Sequence, residues 1–107
     1  MTTPPKSEEL HVSDLAIPQS GAIVSRQIMK APAGNVTLFA FDADQELSEH
    51  TAPFDALVHI IDGEASVSVS GIEHIVKAGE AIILPAGAPH AVKGRTAFKM
   101  LLTMIRS

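Results

Sequence analysis

The stretch GEAIILPAGAPHAVKG, residues 79–94, combines small and apolar residues with a single histidine, His90. Pro85 and Gly87 predict a tight corner, because proline fixes one backbone angle and glycine tolerates a positive φ. The apolar run before the corner is typical of a buried strand, and His90 lies where a second strand would begin. A histidine in this position is a candidate metal ligand, a candidate contact for a small molecule, or a packed core residue.

Regularly spaced glycines extend from this stretch towards the N-terminus. They recur every eight residues, with one more after seven: Gly63, Gly71, Gly79, Gly87 and Gly94. The segments between them are short, and ASVSVS alternates as a half-buried strand does. Turn signals at this spacing predict an all-β sandwich or barrel.

The rest of the chain divides into a lead-in and one domain. Residues 1–20 contain TTPPKSEE, which resists regular structure, and are predicted to be a flexible N-terminal lead-in. Residues 21–107 are predicted to form a single barrel domain, with strands at 21–29, 35–41 and 96–105. The apolar face of the last strand is predicted to consist of Phe98, Met100, Leu102 and Met104.

Composition excludes several classes of function. The 107 residues suffice for one domain and include no cysteine, which rules out disulfides and thiolate metal sites. The net charge is −4, the basic residues are scattered, and Trp and Tyr are absent, so nucleic-acid binding is not expected. No apolar run is long enough to span a membrane. The N-terminus lacks the basic-then-apolar order of a signal peptide, so a cytoplasmic location is expected.

The opening stretch resembles the second sequence motif of the cupin family. That motif consists of a glycine, five residues, P-x-G, two residues, a histidine, three residues and an asparagine. Gly79, Pro85, Gly87 and His90 match it, and Gly94 occupies the asparagine position. The resemblance implies a jelly-roll barrel, also called a double-stranded β-helix, and commonly a homodimer.

The family's first motif, H-x-H, three residues, E, six residues, G, is matched in part by HTAPFDALVHIIDG (50–63). His50 matches the first histidine, whereas Ala52 and Ala56 stand at the second histidine and the glutamate. In the family these three side chains and the histidine of the second motif bind a divalent metal. By this resemblance, His50 and His90 are the remaining candidate metal ligands, and a divalent transition metal is a possible cofactor.

Strand parity raises one alternative for the missing ligands. In a regular strand His50 and Ala56 share the inward face, and Asp55 and His59 point outward. A bulge in residues 51–55 would reverse this parity and bring Asp55 or His59 into the site.

Three functions remain open at this stage. The first is a barrel that binds a small organic molecule in an apolar pocket, with candidate contacts His50, His90, Phe54, Val58, Met100 and Met104. The second is a metal-dependent cupin enzyme of oxygenase, isomerase or decarboxylase type, with an incomplete ligand set. The third is a non-catalytic partner, a barrel that dimerises through edge strands and residues 1–20 or docks on another protein.

Overall fold

The structure is a computed structural model that describes residues 3–106. Within this range, no helix has the length and apolar composition needed to cross a membrane. A short 3-10 helix spans Val12–Leu15. The nine strands of the described residues are β1 (Ile23–Ala31), β2 (Gly34–Phe41), β3 (Glu46–His50), β4 (Ala56–Asp62), β5 (Glu64–Val69), β6 (Ile72–Lys77), β7 (Ala81–Leu84), β8 (His90–Lys93) and β9 (Phe98–Ile105).

These strands form two antiparallel sheets that pack face to face. One sheet has five strands in the order β1-β2-β9-β4-β7, and the other has four in the order β3-β8-β5-β6. Sequence neighbours are often separated in space, as in β3, which pairs with β8. The predicted all-β jelly-roll barrel is therefore confirmed. The strands predicted at 21–29, 35–41 and 96–105 correspond to β1, β2 and β9.

The core lies between the two sheets and is built from alternate residues of each strand. Val58 and Ile60 of the five-stranded sheet and Val67 of the four-stranded sheet are fully buried. The rings of Phe41 and Phe98 stack with their centroids 4.3 Å apart. Each such side chain contributes about 1.5–3 kcal/mol by leaving water, so this layer dominates the stability of the barrel.

The lead-in packs on the outer face of the five-stranded sheet. The ammonium group of Lys99, on β9, donates a hydrogen bond to the carbonyl oxygen of Ser13. Apolar contacts surround this bond and involve Val12, Leu15, Ala16, Leu38 and Ala40. These contacts give residues 12–16 a defined position on the sheet, and the flexibility expected of residues 1–20 stays a prediction.

Candidate functional site

The pairing of β3 with β8 brings His50 and His90 directly opposite each other. Leu47 lies opposite Val92, so the two residues between Leu47 and His50 match the single residue between His90 and Val92. This bulge reverses the parity of β3, which allows both Leu47 and His50 to face the barrel interior. The irregularity therefore precedes His50, and residues 51–55 carry the chain across to the other sheet.

The two imidazole rings meet edge to face at one end of the barrel. Their Nε2 atoms are 3.1 Å apart, and the ring planes make an angle of 71°. His90 is 6% exposed, whereas His50 lies at the surface. The pair thus connects the interior with solvent, which is the position expected of a site that receives a ligand from outside.

The other ring nitrogens fix the tautomer of each histidine. Nδ1 of His50 lies 2.9 Å from the carbonyl oxygen of Ser48, and Nδ1 of His90 lies 3.1 Å from that of Ala88. A carbonyl oxygen can only accept, so each Nδ1 carries the hydrogen. Each neutral ring then has its lone pair on Nε2, and the two lone pairs converge. A proton shared between the Nε2 atoms, a donor group of a ligand or a metal ion satisfies both.

The corner that leads into β8 holds this geometry in place. Gly87 has φ +79°, which a residue with a side chain rarely adopts. Its N–H donates to the carbonyl oxygen of Ala52 at 2.8 Å. The N–H of Ala86 donates to the carboxylate of Asp55, also at 2.8 Å. These two bonds tie the segment after His50 to the segment before the second histidine.

Comparison with known proteins identifies the family of the chain. Residues 37–105 match the family model described as a cupin domain. The chain belongs to the cupin family. No curated protein matches the chain.

Solved structures include cupins similar to this one. A cupin 2 conserved barrel domain protein from Leptotrichia buccalis is 40% identical over 88% of this chain, with a TM-score of 0.85. This chain covers 46% of that protein. A conserved protein of unknown function from Streptococcus pyogenes is 28% identical, with a TM-score of 0.92 and coverage of 99% of this chain and 93% of that one. A cupin superfamily protein from Desulfitobacterium hafniense is 23% identical over 99% of this chain and 97% of that chain, with a TM-score of 0.91, and shows the shared fold.

The alternative ligands considered for this cupin do not join the histidine pair. The carboxylate of Asp55 accepts a hydrogen bond from the backbone N–H of Ala86. His59 lies opposite Ala81 and Leu101 on the outer side of β4, because the strand keeps the regular parity that buries alternate residues from Ala56 onward. Within residues 3–106, no group of three or more His, Cys, Asp or Glu side chains could hold a metal ion. The suggested rescue by Asp55 or His59 is therefore wrong.

The predicted apolar wall divides into an inner and an outer half. Val58 is fully buried and Met100 is 1% exposed, so both belong to the packed core. Met104, further along β9, and Phe54 are half-buried. The guanidinium of Arg106 lies over the ring of Phe54, 5.7 Å from its centroid. Contact of a ligand with any of these side chains stays a prediction.

The departure of Gly94 from the cupin motif has a packing cause. A Cβ atom at this position would lie 2.6 Å from Cδ1 of Phe98, closer than real Cβ contacts allow. The ring cannot yield easily, since it is 1% exposed and stacked on Phe41. Asparagine therefore does not fit here, and its absence reflects packing beneath the turn.

Burial of His90 changes its acid–base behaviour. Burial lowers the pKa of His90 below its ordinary value, and the nearby charge of protonated His50 acts in the same direction. The hydrogen bond to the carbonyl oxygen of Ala88 opposes this effect without cancelling it. At neutral pH the imidazole is consequently neutral, with its Nε2 lone pair free to accept.

This lowered pKa predicts acid sensitivity of the fold. The unfolded chain binds a proton at residue 90 more readily than the folded protein, so the contribution to stability is full above about pH 6.5 and declines as the pH falls. We expect the free energy of unfolding of His90→Gln to fall less than that of the wild type between about pH 7.5 and 5. Urea unfolding at several pH values measures this. His74→Gln, at an exposed position, serves as the control, and equal slopes for wild type and His90→Gln would contradict the expectation.

The sequence did not indicate a second concave region, on the outer face of the four-stranded sheet. It consists of two clefts of about 580 and 250 Å³. Both are lined by Glu46, Ser66, Glu73 and Lys93. The alternating segment EASVSVS places small serines outward between longer side chains, which explains the trough, but recognising it requires the pairing of β3, β8, β5 and β6.

Proposed function

We propose that this cupin binds a small organic molecule at the mouth of the barrel, with His50 and His90 as its polar contacts. The convergence of two Nε2 atoms 3.1 Å apart carries the proposal. Both Nδ1 atoms already have partners, so the Nε2 atoms are the ring nitrogens left for a ligand. The alanines at positions 52 and 56 support it further, since methyl groups replace the histidine and glutamate of the family's metal sites.

The packing supports a small ligand with an acidic group. Because Val58 and Met100 are closed core, the ligand stays near Phe54 and Met104 at the mouth. A carboxylate that binds together with two protons satisfies the pair, because one proton occupies each Nε2 and the carboxylate oxygens accept from the two N–H groups. Binding of this kind takes up protons from solution and therefore strengthens as the pH falls.

A panel of small carboxylates and the corresponding alcohols tests this proposal. We expect the carboxylates to shift the imidazole resonances of both histidines and His50→Ala to weaken binding at least about tenfold, a loss typical of a charge-assisted hydrogen bond. His74→Ala, which changes an exposed histidine, should bind as the wild type does. If no compound perturbs either imidazole, or if both variants bind equally well, the proposal is wrong.

A divalent metal ion is the second candidate, favoured by the same two lone pairs. Imidazole nitrogens bind such ions at about 2.0–2.1 Å, so two Nε2 atoms 3.1 Å apart fit as neighbouring ligands of one ion. Two protein ligands are fewer than usual, since metal sites in proteins usually have three or four. His50 and His90 would thus hold an exchangeable ion, and such an ion supplies Lewis-acid chemistry when it is bound.

A further inference from the structure

The rim of the barrel at the histidine end is held together by backbone hydrogen bonds that extend to the end of the chain. Asp55 lies at the centre of this rim, because its carboxylate accepts from the N–H of Ala86 and its carbonyl oxygen accepts from the N–H of Ile105 at 3.2 Å. The N–H of Arg106 donates in turn to the carbonyl oxygen of Ala33 at 2.7 Å, in the turn between β1 and β2. Arg106 therefore belongs to the same rim as the histidine pair.

The side chain of Arg106 continues the inward series of β9. Phe98, Met100 and Leu102 pack in the core, and Met104 and Arg106 follow at the next alternate positions. The guanidinium lies over the ring of Phe54, 5.7 Å from its centroid. A ring face attracts a cation but accepts little from its N–H groups, so the planar edge of the guanidinium stays available as a donor.

The charge of this guanidinium is not balanced by a neighbouring acid. Within residues 3–106, the one ion pair closer than 4.0 Å joins His11 and Asp14, in the lead-in. The carboxylate of Asp55, on the same rim, accepts from the corner that precedes the second histidine. A fixed positive charge at the rim thus accompanies the two imidazoles, whose charge depends on pH.

Arg95 shows what an arginine in a different setting looks like in this chain. It lines the larger cleft on the outer face of the four-stranded sheet, together with the acidic residues Asp44, Glu46 and Glu64. Its surroundings already contain negative charge, whereas Arg106 lies beside an aromatic ring. The two arginines therefore differ in what they offer to an acidic ligand, and Arg95 is a suitable control.

We propose that Arg106 selects a ligand with two acidic groups, a short dicarboxylate with one carboxylate on the histidine pair and the other on the guanidinium. The inference rests on the proposed function, in which the pair takes up two protons with one carboxylate. A monocarboxylate leaves the charge of one imidazolium and that of the guanidinium unbalanced. A second carboxylate supplies the missing negative charge and can accept two parallel hydrogen bonds from the planar guanidinium.

The position of the groups on different sheets sets the size of the ligand. His50 and His90 belong to the four-stranded sheet, and Arg106 directly follows β9 of the five-stranded sheet. Facing sheets lie about 10 Å apart, and the side chains at both ends shorten this gap, so a diacid of about four to six carbons is expected. Its methylene groups would lie beside Phe54 and Met104, which are half-buried and apolar.

Calorimetric titration of the full chain with matched acids tests the inference. Succinate, glutarate and adipate are compared with butyrate, pentanoate and hexanoate at about pH 7, where the acid groups are ionised. In the wild type, the best dicarboxylate should bind at least about tenfold more tightly than the monocarboxylate of the same length, as expected of a charge-assisted hydrogen bond. Arg106→Gln should remove this preference and change monocarboxylate binding less than about twofold.

Arg95→Gln is the matched control and should keep the preference of the wild type. Both arginines are exposed, so the substitutions leave the core intact, and circular dichroism checks that each variant is folded. Equal binding of the two classes of acid by the wild type overturns the inference and leaves the proposed function standing. A preference that survives Arg106→Gln, or that Arg95→Gln removes equally, also overturns it. If the wild type binds neither class, the inference and the carboxylate ligand of the proposed function are both wrong.

Discussion

Replacement of Phe98 by alanine is expected to lower the free energy of unfolding by about 3–5 kcal/mol. The ring is 1% exposed and stacks on Phe41 with 15° between the planes. Gly94 lies against one edge of the ring, so the surroundings are shaped to it on more than one side. Loss of the ring removes buried apolar surface and leaves a cavity that the two sheets cannot easily close.

The matched control is Ile72→Ala, which shortens a side chain that is 63% exposed on β6. It should cost less than about 1 kcal/mol. The chain contains no Trp or Tyr, so urea unfolding is best followed by far-ultraviolet circular dichroism. A Phe98→Ala variant as stable as the Ile72→Ala variant would contradict the assignment of this stack to the centre of the core.

The second large effect is expected on divalent metal binding. Titration of tag-free protein with Ni²⁺ or Zn²⁺ should show one site, and His90→Ala should weaken it by more than tenfold. Loss of a residue that only orients a metal ligand already lowers metal affinity by about 10–100-fold. The substitution here removes one of the two candidate ligands itself. His50→Ala should have the same effect, because the two Nε2 atoms are 3.1 Å apart and would bind the same ion.

His74→Ala is the control for this titration, since it removes a surface imidazole and leaves the pair intact. It should bind the ion as tightly as the wild type. If all three variants and the wild type bind alike, the metal occupies surface positions, and the metal alternative for the histidine pair is wrong. Binding of carboxylates would still be tested separately.

The sequence predicted the fold well because its signals are local. Regular glycine spacing marked the turns, and the alternation of residues 96–105 identified β9 together with its inward face. The same parity placed Val58 on the inward side of β4. Gly79, Pro85, Gly87 and His90 tied these elements to a known barrel through fixed spacing.

The site was harder to predict, because it depends on contacts between distant segments. The bulge between Leu47 and His50 follows from pairing with β8, and neither glycine nor proline marks it in the sequence. The hydrogen bond between Asp55 and Ala86 joins residues 31 positions apart.

The central claim is that His50 and His90 present their Nε2 atoms to a common ligand. Nitrogen-15 spectra of the two imidazole rings, assigned with the single variants His50→Gln and His90→Gln, test it most directly. When both rings are neutral, we predict the Nδ1–H form for each histidine and a change at Nε2 when a ligand binds. A spectrum with the hydrogen on Nε2 and a free Nδ1 in either ring would contradict it.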